Sequence, residues 1–253
     1  MLLREALGVP PGGVVAVVGG GGKTSVLFRL GQELAQAGGV IITGTTKFTP
    51  SRTGEVPPTA VADDLERLLG QAADGLGQHR LIVCASGQGE KGRFIGIDPA
   101  WVEHLRRLPG VRYMLVNADG SAGRPFKAPA AHEPVVPPCA SLVCPIVGVD
   151  AVGRTLNEKG VHRPQAVARL TGAPLGATIT LEMVARVLLH PEGGRKGVPA
   201  GARFVPIVNK ADLPGGEATA HALAALLLEG GAEAVVIAQA LRQPPALAVV
   251  TRP

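Results

Sequence analysis

Aromatic side chains are scarce in this chain: five Phe, one Tyr and one Trp among 253 residues. A core of stacked rings is excluded, and Val, Leu, Ile and Ala must supply the packing. Cysteine is scarcer still. Cys84, Cys139 and Cys144 are too few, and odd in number, for a disulfide framework. That usage predicts a reducing compartment, the cytoplasm. No apolar run approaches the length of about 20 residues that spans a bilayer. Arg4 and Glu5 interrupt the start of the chain, where a secretory leader needs apolar residues. No membrane partner is expected. Neither sign of charge dominates, with Lys+Arg 25 against Asp+Glu 20 and a net charge of +5. So mild a bias suits a small anion and gives no ground for a nucleic-acid partner.

A composition of 46% hydrophobic and 18% charged residues excludes a disordered or fibrous chain. The 35 Gly and 22 Pro fall mostly between apolar runs, where they punctuate. Val14–Val18 is a continuous apolar run, the mark of a strand buried on both faces. Lys23–Ala37 follows with Val26, Leu27, Leu30 and Leu34 at helical spacing. Further strands are predicted at 40–43, 81–85, 93–97, 112–117, 142–149, 204–208 and, as the final one, 234–237. Helices are predicted at 63–69, 99–108, 163–170, 180–189 and 217–228. Strand and helix alternating at these lengths give a mostly parallel sheet with helices on both faces. The expected fold is therefore α/β, a three-layer α/β/α arrangement like that of P-loop NTPases. It forms one domain over residues 1–253. An irregular loop at about 119–138 is too long for a mere connector, and such loops are often functional.

Between the first strand and first helix stands Gly19-Gly20-Gly21-Gly22-Lys23-Thr24-Ser25. Glycines let a backbone turn its amides inward around an anion. The helix that starts there adds partial positive charge. Lys23 is placed to meet the outer phosphates of a nucleotide, and Thr24 to set its hydroxyl on Mg²⁺. The full phosphate-loop pattern wants glycine where Val17 stands. The shorter Gly-x-x-Gly-Lys-Thr form remains, which resembles the phosphate loop of Mur ligases. A dinucleotide fingerprint is the rival, but Thr24 occupies the place of its third glycine and no acidic residue ends the second strand.

The strand at 112–117 runs into Asp119-Gly120, and such a carboxylate can hold Mg²⁺. The competing reading is a turn residue. Thr43-Gly-Thr45-Thr46-Lys47 leaves the second strand. Thr46 is its candidate for a phosphate or metal shell, against a plain solvated loop. Glu90-Lys91-Gly92-Arg93 reads as a turn. Asn209-Lys210-Ala211-Asp212 follows a late strand and matches N-K-x-D, the guanine-reading element of GTP-binding proteins. Asp212 would accept two guanine hydrogens that adenine lacks, Asn209 would hold O6 and N7, and the Lys210 stem would cover the ring or brace the phosphate turn. With three Asn, seven Lys and seven Asp in the chain, chance gives about 0.002 such matches, so accident is a poor explanation. GTP is favoured over ATP. The D-x-x-G switch of small GTPases is absent, since Ala122 stands where its glycine belongs.

With these motifs in place the chain resembles the YqeC family, described as accessory proteins of selenium-dependent molybdenum hydroxylases. The resemblance rests on the Gly-x-x-Gly-Lys-Thr-Ser turn, the Thr43–Lys47 segment and Ala118-Asp-Gly-Ser-Ala-Gly-Arg-Pro-Phe-Lys-Ala-Pro129. His132-Glu-Pro134, Gly148-Val-Asp150, Val161-His-Arg-Pro164 and Asn209-Lys-Ala-Asp212 continue it. The family tends to carry glutamate two residues before the strand-end aspartate, where this chain has Asn117. The resemblance implies a Mg²⁺-dependent nucleotide-binding protein in the maturation of such a hydroxylase or its cofactor. It implies a molybdopterin-type ligand and a hydroxylase apoprotein as partners. The alternatives are a nucleotide-controlled delivery chaperone and a P-loop kinase or Mur-like ligase acting on a small anionic metabolite. Lys23, Asp119 and Arg124 are the expected catalytic residues, with Arg124 and Lys127 available to clamp a second anion. His132 and Arg163 are weaker candidates. Cys139-x₄-Cys144 is not a recognised metal spacing.

Overall fold

The computed structural model describes residues 1–49 and 56–252. Its element order is α1 (Leu3–Leu7), β1 (Gly13–Gly19), α2 (Lys23–Leu34), β2 (Gly39–Gly44), β3 (Thr59–Val61), α3 (Leu65–Gln78) and β4 (Leu81–Ala85). Next come β5 (Gly87–Gln88), β6 (Phe94–Ile95), α4 (Trp101–Arg106), β7 (Val111–Asn117) and β8 (Leu142–Gly148). The chain continues with α5 (Pro164–Thr171), α6 (Leu181–Leu189), β9 (Arg203–Phe204), β10 (Ile207–Asn209), α7 (Gly216–Glu229), β11 (Ala234–Ala238) and β12 (Ala246–Thr251). Ten strands form one sheet in the order β12-β11-β10-β8-β1-β7-β2-β4-β3, with β9 beside β8. Every pairing in it is parallel except β11 with β12.

Alternation along the strands builds the layers. Val15 and Val17 of β1 pack with Leu3 and Leu7 of α1 and Val26, Leu27 and Leu30 of α2 on one face. Val14, Ala16 and Val18 point to the other, where Leu68 and Ala72 of α3 and Val102 and Leu105 of α4 cover them. Farther along that second face, Val147, Val208 and Val235 are covered by α5, α6 and α7. Each fully buried Val or Leu is worth about 1.5–3 kcal/mol, so this alternation fixes the register of the central strands. The result is the expected three-layer α/β/α fold.

Several boundaries differ from the sequence pattern. The predicted helix at 63–69 runs on to Gln78 through Gly70, Gly75 and Gly77. The side chain of Asp64 caps its start by accepting from Arg67 N–H (2.9 Å). That cap and the burial of Leu68 and Ala72 offset a cost of about 1 kcal/mol per helical glycine. The strand predicted at 204–208 is broken at Pro206, which has no N–H for the ladder, into β9 and β10. The segment 93–97 contributes only β6, in a hairpin with β5 apart from the main sheet. The strand at 234–237 is not the last, because β12 follows it as an antiparallel edge. Among the described residues, no helix is long and apolar enough to cross a membrane.

Candidate functional site

Sheet order decides what meets at the carboxyl ends of the strands. β1 lies between β7 and β8, so the exit of β1 carrying Gly19–Thr24 stands beside the exit of β7 carrying Asp119. The long segment after β7 crosses this point before β8 begins. It lies on the glycine turn, with Gly21 N–H donating to Arg124 O (3.0 Å) and Gly148 N–H to Pro125 O (3.0 Å).

The bend is tight because its glycines touch backbone on every side. A Cβ on Gly21 would fall 2.0 Å from Gly148 N, and Gly21 has φ +79°. Gly21→Ala is therefore expected to cost about 3 kcal/mol or more and to lower the melting temperature by about 10 °C. A variant that melts with the wild type would show that the turn is not held as described.

The amides divide into two sets. Gly19 N–H donates to Asp119 Oδ2 (3.0 Å), Gly20 N–H to Ile146 O (2.8 Å) and Gly21 N–H to Arg124 O, so these build the turn itself. The amides of Gly22, Lys23, Thr24 and Ser25 open α2 and have no hydrogen-bond partner among the described residues. Asp64 and Thr180 cap α3 and α6 with their side chains. The first residue before α2 is instead Gly22, with φ +118° and no side chain to offer. A twelve-residue helix thus presents its positive end bare.

A cavity of about 240 Å³ opens at this end. Its wall includes Gly21–Ser25, Asn117, Asp119 and Gly120–Arg124. Lys47–Thr49 and Arg93 line one side, and Lys210 and Leu241 the other. Of the residues singled out from sequence, the structure brings Gly21, Gly22, Lys23, Thr24, Ser25, Asp119, Arg124 and Lys210 to this one cavity. Gly19 and Gly20 support it from below, and Thr46, Asn209 and Asp212 are not part of its wall.

Charge at the bottom is strung in alternating sign. Lys23 lies 3.1 Å from Asp119 Oδ1, and its Nζ also donates to Gly19 O. Asp119 Oδ2 is 2.9 Å from Lys127 Nζ, which also meets Glu133 Oε2 at 2.5 Å. Glu133 in turn takes both prongs of Arg163, at 2.6 and 3.1 Å. Lys23, Asp119, Lys127 and Glu133 are 5%, 2%, 3% and 7% exposed. Burial pushes the Lys23 amine below its usual value against the pull of Asp119, with Lys127 pushing the same way. Burial would raise the Glu133 carboxyl, but hydrogen bonds and charge from Arg163 and Lys127 prevail and hold it at about 2. Lys127, expected to clamp a second anion beside Arg124, is instead consumed inside this chain. Its Nζ is taken by Gly120 O, Asp119 and Glu133. The His-Glu-Pro motif was the only sequence trace of Glu133. His132 itself is exposed.

The N-K-x-D segment acts first as a brace. Asn209 Nδ2 donates to Gly21 O (2.9 Å) and its Oδ1 accepts from Ala240 N–H (3.1 Å). Each polar end of its amide makes one bond, tying the glycine turn to the exit of β11, with a second N–H and a second lone pair not used by these bonds. Lys210 reaches Asp150 at 2.9 and 3.0 Å. Lys210 lines the cavity together with Leu241, which is 59% exposed. Asp212 is 3.4 Å from Arg242 through Oδ2 alone. Among the described residues, three non-glycine residues adopt left-handed backbone: Ala122, Arg163 and Lys210. All three belong to this site, at a cost of about 1–3 kcal/mol each, as strained residues at functional sites do.

Thr43 and Thr45 spend their hydroxyls on Cys84 O (2.8 Å) and Val135 O (2.6 Å). Among the described residues, buried Thr46 Oγ1 has no partner, nor has Asn117 Oδ1 nor, for hydrogen bonds, Asp119 Oδ1. The cysteines are free, and burial pushes Cys84 and Cys144 up to about 12. Thiols so raised are poor ligands and nucleophiles.

A family model described as YqeC protein matches residues 15–165. A protein of Escherichia coli (strain K12) described as Uncharacterized protein YqeC is 36% identical over 200 residues, 78% of this chain and 75% of that protein. No solved structure matches the chain.

Proposed function

The chain belongs to the YqeC family, and from that premise we propose that it binds the Mg²⁺ complex of a nucleoside triphosphate, GTP before ATP. The bound nucleotide would serve the maturation of a selenium-dependent molybdenum hydroxylase or its cofactor, the role the family resemblance implies. The observation that carries nucleotide binding is the bare amino end of α2 opening into a cavity beside Lys23 and Asp119.

In this reading the amides of Gly22–Ser25 bind the phosphate oxygens. Lys23 exchanges its hold on Gly19 O for the outer phosphates and neutralises charge there. Asp119 stays oriented by Gly19 N–H and Lys127. The base lies between the Lys210 stem and Leu241. A Mg²⁺ ion fits the donors present. Asp119 Oδ1 meets only the Lys23 ammonium, at 3.1 Å, among the described residues, Thr24 lines the same wall, and hard oxygen donors of this kind suit the ion. Among the described residues no cluster of three His, Cys, Asp or Glu could hold a metal alone. When bound, Mg²⁺ would supply positive charge to the phosphates.

Asn117, neutral where the family tends to carry glutamate, favours a second reading: a delivery chaperone in which nucleotide shifts a conformational equilibrium and turnover is slow.

Base choice is tested with a binding panel of GTP, ATP and CTP in Mg²⁺. Asp212→Asn removes one acceptor from the guanine edge. GTP affinity is expected to fall about 30-fold, the worth of a charge-assisted hydrogen bond of about 2 kcal/mol, and ATP affinity to stay put. Equal losses for both nucleotides would sink the guanine assignment.

A further inference from the structure

We propose that the same cleft seats a second substrate beside the nucleotide: a small molecule carrying a phosphate group and a hydroxyl or amine, bound at the β2 end on Lys47 and Arg93. The inference rests on the nucleotide reading above and names its co-substrate.

Sheet order gives the cleft two arms. From the exit of β1, Lys210 lies past β8 at β10, and Lys47 lies past β7 at β2. With strands about 4.8 Å apart, each stands roughly 10 Å from the phosphate turn, on opposite sides. A nucleotide with its phosphates on α2 and its base at Lys210 occupies one arm. The other, from Asp119 to Arg93, is left over. Arg93 is brought there by the β5–β6 hairpin, which clips onto the exit of β2. Phe48 and Phe94 exchange backbone hydrogen bonds of 3.0 and 2.8 Å, and their rings lie 5.5 Å apart. The sequence around Arg93 reads as a turn, and only this clip reveals its position.

Charge in that arm is unbalanced. Lys23 and Lys210 have carboxylate partners in Asp119 and Asp150. Lys47, Arg93 and Arg124 have no ion pair among the described residues. Arg124 adjoins the phosphate turn through its carbonyl and belongs with the nucleotide. Lys47 and Arg93 remain, and a dianionic phosphate answers them, the guanidinium fork matching two of its oxygens.

A buried polar atom points the same way. Asn117 is 6% exposed and lines the cavity. Its register with Gly44 places it next to the exit of β2. Its Oδ1 has no partner, a deficit worth about 1–3 kcal/mol. A carboxamide oxygen is completed only by a donor. A hydroxyl or amine on the phosphate-bearing molecule supplies it and lies next to Asp119 and the triphosphate end.

The test starts from wild-type protein saturated with Mg²⁺ and a β,γ-imido nucleotide, so that the triphosphate seat is full. Inorganic phosphate and, separately, acetate are titrated in by calorimetry. Phosphate is expected to bind at least about tenfold more tightly than acetate. Arg93→Gln and Lys47→Gln should each weaken phosphate by about fivefold or more while nucleotide affinity moves by less than about twofold. Nucleotide binding also reports that each variant is folded. Phosphate failing to bind the saturated protein, or binding no better than acetate, overturns the inference alone. So do variants that weaken nucleotide as much as phosphate, since those cations then serve the triphosphate. Absence of nucleotide binding in the wild type strikes the nucleotide reading first and this inference with it.

Discussion

Replacing Lys23 by alanine is expected to lower phosphate release from bound nucleotide by about 10²–10³-fold, the usual cost of one charge-stabilising group aimed at a reacting centre. The size follows from position. Lys23 is the first residue of α2, beside the unpartnered amides of that helix end. Among the other cations near the turn, Lys127 and Lys210 are held by carboxylates, and Arg124 is not part of the helix end. The fold should survive. Asp119 keeps Lys127 and the Gly19 amide on Oδ2, so no carboxylate is stranded in the interior. Circular dichroism and melting then separate loss of chemistry from loss of structure. If the wild type releases no phosphate, as a delivery chaperone would, the same variant is read by nucleotide affinity, which should fall at least about tenfold. A variant within threefold (roughly 0.7 kcal/mol) of wild type in both measurements would remove the phosphate turn as the functional centre.

Lys127→Met carries the largest expected effect on stability. Lys127 is the middle link of the buried chain from Lys23 to Arg163, and its loss leaves Asp119 and Glu133 each short of a cation. Breaking a buried pair from one side costs about 3–5 kcal/mol, or about 10 °C of melting temperature in a protein of this size. The acid limb gives an independent reading. Glu133 is held at about 2 when folded, below its ordinary value of 4.5. A carboxyl depressed in this way contributes stability that is fully present above its unfolded value and is lost as pH falls from there toward the folded value. In the wild type, about 3 kcal/mol should therefore disappear between about pH 4.5 and pH 2. In Lys127→Met part of the depression is gone, so the drop in that window should be smaller, starting from a lower plateau at neutral pH. Equal stability at pH 7 and an unchanged acid limb would show that the chain of charges does not hold the loop to the turn.

Much of the fold could be read from the residues. Val14–Val18, Leu81–Ala85 and Leu142–Val149 are apolar throughout because parallel strands here are covered on both sides. The tight turn at 19–22 was legible because close packing dictates its glycines, a local requirement that leaves a local mark. What escaped has no local mark. Lys127 reads as half of an anion clamp, Arg163 as a weaker site candidate and Glu133 only as part of His-Glu-Pro, since nothing in their spacing says that a crossing segment will bury them together. Arg93 owes its place to a hairpin clipped onto β2. The helix predicted at 63–69 runs past Gly70 to Gln78 because Leu68 and Ala72 are buried. The run from Ala246 to Thr251 follows Pro244-Pro245, and its half-covered edge blurs the pattern that marks the inner strands. Asn209 was recognised as part of a motif, but its use as a strut, with one bond at each amide end, depends on strands that the motif does not name.

That strut also sets an order of events during synthesis. The glycine bend emerges from the ribosome early, yet it is fastened to Asp119 at a separation of 100 residues and to Asn209 at a separation of 188. Closing such long loops must wait for the distant partner to be translated. An unfinished chain carries the glycines and the lysine without the shape they need. If this bend binds nucleotide as proposed, capture would be reserved for nearly complete copies, and a stalled fragment would have nothing with which to sequester it.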